Sequence, residues 1–105
     1  MQISVTGRHL EIKGPMREYI EDKAGKLNRY YDRIERIEVI VDQVSNHQSV
    51  EMVVRAGHKN TFVAQVDTND FYEAVDLVVD KMERQLTKHK EKFRNRKHPY
   101  KPESG

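Results

Sequence analysis

Cysteine is absent from this 105-residue chain. Neither a disulfide nor a zinc-thiolate cluster can hold it, and one modest core must form by packing alone. The absence also fits a reducing cytosol. Long apolar runs are missing, and no stretch approaches the roughly 18 residues that would span a membrane. The first residues, Met1-Gln2-Ile3-Ser4-Val5, lack the basic-then-apolar order of a secretion signal and alternate instead like a strand. Repeats and internal linkers are lacking as well. The chain is expected to be soluble, cytoplasmic and folded mainly as a single domain.

Chemistry is equally scarce. Serines 4, 45, 49 and 104 sit in no nucleophile motif, and no glycine-rich phosphate loop is present. Histidines 9, 47, 58, 89 and 98 are scattered, without metal-ligand spacing to a carboxylate or thiol. No catalytic residue, no metal and no cofactor is expected.

Charge is what the chain does have, and it is unevenly placed. Residues 1–80 carry ten Lys/Arg against fourteen Asp/Glu, a net of −4. Residues 81–101 carry nine Lys/Arg against Glu83 and Glu91, a net of +7. A positive end this concentrated suits a polyanionic partner.

Hydrophobic periodicity gives the elements. Ile3 and Val5 alternate in a first strand. Gly14-Pro15 opens a helix to about Tyr30, with proline suited to its first position and Met16, Ile20, Ala24, Leu27 and Tyr31 on its buried face. Ile34 to Val44 is a β-branched, largely alternating strand. Val50, Met52 and Val54 mark a third strand, and Phe62, Ala64 and Val66 a fourth. The turn-like runs Ser45–Gln48 and Gly57–Asn60 make strands two to four an antiparallel meander. Asp70 and Glu73 form a capping-box-like start to a last helix of about 24 residues. Its stripe is Phe71, Val75, Val78, Met82, Leu86, His89 and Phe93. The order β-α-β-β-β-α predicts an α+β two-layer sandwich, a four-stranded mixed sheet with both helices on one face. The expected division is a folded domain over 1–94 and a flexible basic tail over 95–105.

On the last helix Lys81, Arg84, Gln85, Lys88 and Lys92 fall in a sector of roughly 100°, its centre about 110° from the apolar stripe. This cationic flank continues into Arg94, Arg96, Lys97 and Lys101. A solvated face is the plain alternative. Few acids offset the charge, however, and repulsion along the row is relieved by an anionic partner. On the first helix Tyr19, Lys23, Lys26 and Tyr30 form a second row, with Arg29 further round. Lysines suit phosphates. The tyrosines either stack on bases or sugars or pack at the rim of the core. Because both helices cover one sheet face, the two basic rows are expected to border one groove. Asp76 and Asp80 are expected to reach Lys81 or Arg84.

The run Asp70-Phe71-Tyr72-Glu73-Ala74-Val75-Asp76, followed by Asp80-Lys81-Met82-Glu83-Arg84-Gln85-Leu86-Thr87-Lys88-His89-Lys90, closely resembles the signature of the bacterial hibernation-promoting factors and their sister, ribosome-associated inhibitor A. Met1 to Gly7, Lys23-Ala24-Gly25-Lys26-Leu27 and Tyr30-Tyr31-Asp32-Arg33-Ile34 resemble the same family, over about residues 1–93. The resemblance implies a sandwich similar to a double-stranded-RNA-binding domain with an added strand. It implies binding to the small ribosomal subunit and its 16S rRNA near the decoding centre, over the mRNA and the A- and P-site tRNA positions. Translation would be silenced in stationary phase or stress. It implicates Lys23, Lys26, Lys81, Arg84, Lys88 and Lys90, the last lying outside the cationic flank. A monomer is expected when the protein is free. The short factors act with a ribosome-modulating factor to pair 70S ribosomes into inactive dimers, whereas inhibitor A has a longer acidic tail and opposes pairing. The short basic tail here favours the first branch.

Two rival readings remain. A generic double-stranded-RNA-binding module would want a contact loop before its sheet. An acylphosphatase-like enzyme would need a phosphate cradle after the first strand, and Gly7-Arg8-His9 lacks the glycines for one.

Overall fold

The computed structural model describes residues 1–31, 33–57 and 59–97, the last seven as helical backbone alone. The elements are β1 (Gln2–Arg8), α1 (Gly14–Gly25), a 3-10 segment (Lys26–Arg29), β2 (Ile34–Val44), β3 (His47–Ala56), β4 (Asn60–Thr68) and α2 (Phe71–Lys97). The sheet order is β1-β2-β3-β4, with β1 parallel to β2 and the other pairs antiparallel. Helix α1 lies over β1, and α2 lies over β3 and β4. This is the expected mixed sheet with its two helices on one face.

Alternation in the strands decides which side is covered. Ile37, Val39 and Val41 of β2, Val50, Met52 and Val54 of β3, and Ala64 and Val66 of β4 are buried. They meet Ile20, Ala24 and Leu27 from the first helical region and Phe71, Ala74, Val75, Val78, Val79, Met82 and Leu86 from α2. None of the described polar or charged side chains is buried. The domain is therefore held by apolar burial. Gly7 is needed where the chain leaves β1, because a Cβ there would stand 2.6 Å from the Leu10 carbonyl oxygen and 2.9 Å from Ile12 Cγ1.

Both helices differ in detail from expectation. The first was expected to stay regular to about Tyr30, but it tightens after Gly25 into the 3-10 segment. The Lys26 N–H reaches back to the Lys23 carbonyl, and the Tyr30 N–H donates to the Leu27 carbonyl at 2.9 Å. Three residues per turn align i with i+3. Leu27 and Tyr30 thus turn together towards the core, and Lys26 and Arg29 together towards solvent.

At the start of α2 only half of a capping box forms. The Glu73 N–H donates to Asp70 Oδ2 at 3.1 Å, while the Asp70 N–H is taken by Thr68 Oγ1 at 2.8 Å rather than by Glu73. At its other end α2 passes the boundary expected at 94 and runs to Lys97. No glycine or proline interrupts residues 71–97. The rest of the tail expected over 95–105 lies outside the described residues. Among the described residues no helix is long and apolar enough to cross a membrane.

Candidate nucleic-acid interface

The cationic flank of α2 is fixed by the edge of the sheet. Lys81 Nζ donates to the Gln65 carbonyl at 3.0 Å, and Gln85 Nε2 donates to the Val63 carbonyl at 2.8 Å. Four helical residues advance about 6 Å and two strand residues about 6.6 Å, so the donors and acceptors stay in step. As the helix descends, its partners move back along β4, and His89 meets Phe62 with centroids 5.2 Å apart. Lys81 and Gln85 therefore lie on the β4 side of α2 and cover carbonyls of an edge strand.

The opposite flank of α2 meets α1. The Tyr19 hydroxyl donates to Asp76 Oδ1 at 2.7 Å, and Lys23 Nζ lies 4.0 Å from the same oxygen. The Tyr19 ring meets Tyr72 edge-on at 4.8 Å, with Lys23 Nζ 5.4 Å from its centroid. The Asp76 carboxylate holding the hydroxyl proton, together with burial and the nearby negative charge, pushes the Tyr19 phenol up from 10.0 to about 12. Asp76 thus reaches α1, not Lys81 or Arg84 as expected. Tyr19 has its ring and its hydroxyl engaged between the helices.

The two expected basic rows consequently border a groove only in part. Lys81 and Gln85 stand on the far side of α2. Arg84 and Lys88 do reach the groove, a shallow hollow of about 380 Å³ lined also by Tyr30, Glu83 and Thr87. Tyr30 forms its floor, partly buried against the core. Lys26 and Arg29 are exposed just before it. Asp76, Glu83 and Lys90 are spaced by seven residues, so exposed Lys90 continues the α1-facing flank. Among the described side chains no carboxylate forms an ion pair with Arg84, Lys88 or Lys90. The backbone of Lys92, Arg94, Arg96 and Lys97 is helical, and their side chains lie outside the description. Glu83 and Thr87 were not foreseen as groove residues. The engagement of Lys81 and Gln85 depends on which strand lies beside α2, and their one-turn spacing alone does not show it.

The arrangement is a half-ring of cations around the C-terminal half of α2, with an aromatic floor on one side. It offers point charges and a guanidinium for phosphates.

A profile of the sigma 54 modulation protein / S30EA ribosomal protein family matches residues 3–94. The chain belongs to this family. Among its relatives is the ribosome hibernation promoting factor of Azotobacter vinelandii, 35% identical over 102 residues, covering 97% of this chain and 94% of the relative. Another is the ribosome hibernation promoting factor of Escherichia coli K12, 36% identical over 96 residues, 90% of this chain and 98% of that one. A ribosomal subunit interface protein from Coxiella burnetii superposes with a TM-score of 0.80 at 32% identity, covering 86% of this chain and 98% of its own. The N-terminal domain of Thermus thermophilus Protein Y superposes at 0.77 and 30% identity, over 85% and 99%. The family's sandwich is thus the one built here.

Proposed function

We propose that this chain is a ribosome hibernation factor. It binds the small subunit at the decoding region, over the positions of mRNA and of A- and P-site tRNA, and silences translation in stationary phase or stress. The observation that carries this reading is the exposed set Arg84, Lys88 and Lys90, without carboxylate partners among the described side chains, beside the Tyr30 floor. Cations left unpaired on a folded surface repel one another and gain most from a polyanion. The names of the relatives point to the ribosome, whose RNA is the polyanion that this surface suits.

In this reading Lys23, Lys26, Arg29, Arg84, Lys88 and Lys90 meet phosphates, and Tyr30 meets a sugar or base. Lys81 and Gln85 hold α2 against β4, so that this surface is presented rigidly. The positive residues after 90 extend the contact along the RNA. The basic residues after 90 favour, in this reading, the branch that with a ribosome-modulating factor pairs 70S ribosomes into inactive dimers.

A sucrose gradient of stationary-phase lysate, probed for this protein, tests the reading. The protein should sediment with small subunits and whole ribosomes, and one that stays at the top of the gradient contradicts it. Purified protein added to 70S ribosomes with the modulating factor should enlarge the dimer peak. Suppression of that peak, restored by truncation after Phe93, would assign the chain to the inhibitor branch with the same target.

A further inference from the structure

Arg36 on β2 and Arg55 on β3 stand directly opposite one another in the antiparallel register. Like charges so placed destabilise a sheet. One carboxylate, Glu38, serves both: its Oε2 lies 3.5 Å from Arg36 Nη1 and 3.6 Å from Arg55 Nε. Both arginine side chains are about half exposed, at 51% and 50%. Each guanidinium carries five N–H donors, and Glu38 meets one nitrogen of each.

Beside Arg55 the sheet ends in a hollow of about 590 Å³ lined also by Glu35, Ala56, Lys59, Asn60 and Thr61. Lys59 is exposed there on a left-handed backbone, φ 62°. Asn60 Nδ2 fixes the turn by donating to the Gly57 carbonyl at 3.0 Å. The same amide lies 3.5 Å from the Tyr31 hydroxyl. Tyr31 in turn meets His89 of α2 at 5.7 Å between centroids. The hollow therefore adjoins the end of α2 that carries Lys88 and Lys90. The descent of α2 along β4, from Gln65 to Val63 to Phe62, leads to the same place.

We propose that this end of the sheet is a second contact for the RNA backbone, in which Arg36, Arg55 and Lys59 receive phosphates. The cationic surface of α2 would then continue around the β4 side onto the strand ends, and a bound RNA would touch the sheet as well as the helices. The proposal rests on the small-subunit reading above. Phosphate suits the site because it satisfies two facing guanidiniums that share a single carboxylate.

The absence of cysteine makes a site-specific test direct. Thr61→Cys and Thr87→Cys variants each take one iron chelate that generates hydroxyl radicals when bound to the small subunit. Cleavage of ribosomal RNA from both positions is expected. Cleavage from position 87 with none from 61, or with 61 cutting only ribosomal protein, overturns the second contact while leaving the first. Silence from both positions overturns the small-subunit reading and the proposal with it. As an independent measure, Arg55→Gln with Lys59→Gln should reduce the slope of log affinity against log salt by roughly two. An unchanged slope at unchanged affinity overturns the proposal. Folding of the double variant is checked by circular dichroism, and removal of the Arg36–Arg55 repulsion favours it.

Discussion

Lys81 Nζ donates to the backbone carbonyl of Gln65 at 3.0 Å, tying the basic helix to the outer edge of the sheet. A lysine that sequence alone places among the RNA contacts thus has work within the fold. Edge strands expose unpaired carbonyls that template aggregation, and Lys81 with Gln85 covers two of them on β4. Lys81→Met keeps the apolar stem and removes the donor. It should lower stability by up to about 1 kcal/mol, whereas Lys88→Met should leave it unchanged or raise it. Urea unfolding midpoints measure both. Lys81→Met combined with Gln85→Leu should also increase self-association in light scattering. Loss of stability in the Lys88 variant alone would reverse the assignment of the two flanks.

Leu86 is fully buried on the sheet-facing stripe of α2. Leu86→Ala should cost about 2–5 kcal/mol, read from the same urea curves. A cost below about 1 kcal/mol would mean that α2 is not anchored through this turn.

Tyr19 gives a pH-dependent signature. Its phenol is raised from 10.0 to about 12, chiefly by the hydrogen bond to Asp76. The unfolded chain therefore loses this proton first as pH rises. The stabilisation is fully present below pH 10 and is lost as pH climbs through about 12. In an ultraviolet titration of the folded protein, one tyrosine should ionise near pH 12 and disappear in Tyr19→Phe. A Tyr19→Phe titration identical to wild type would show that the phenol does not hold Asp76.

The fold was readable because its covered face is written in two periods. Val50, Met52 and Val54 alternate, Phe71, Val75, Val78, Met82 and Leu86 recur at helical spacing, and each set is buried or nearly so. The helix ends were less readable. Nothing at Gly25 announces a switch to 3-10 geometry, which depends on Leu27 and Tyr30 both reaching the core. The site was legible in composition but not in direction. The helical wheel groups Lys81, Arg84, Gln85 and Lys88, but which neighbour that flank faces is set by α2 packing over β4 at the sheet edge. The Arg36–Arg55 pairing depends on strand register, including the irregularity between Ile34 and Arg36, which residue patterns do not specify.

The central claim is that Arg84 and Lys88 bind ribosomal RNA through charge. The most direct measurement is the equilibrium affinity for purified small subunits across a salt series, for wild type and for Arg84→Ala with Lys88→Ala. Wild-type affinity should fall steeply, with a slope of roughly −0.7 to −0.9 per phosphate contact. The double variant should remain folded, bind more weakly at low salt and show a slope shallower by about two. A wild-type affinity insensitive to salt, matched by the double variant, would contradict the account.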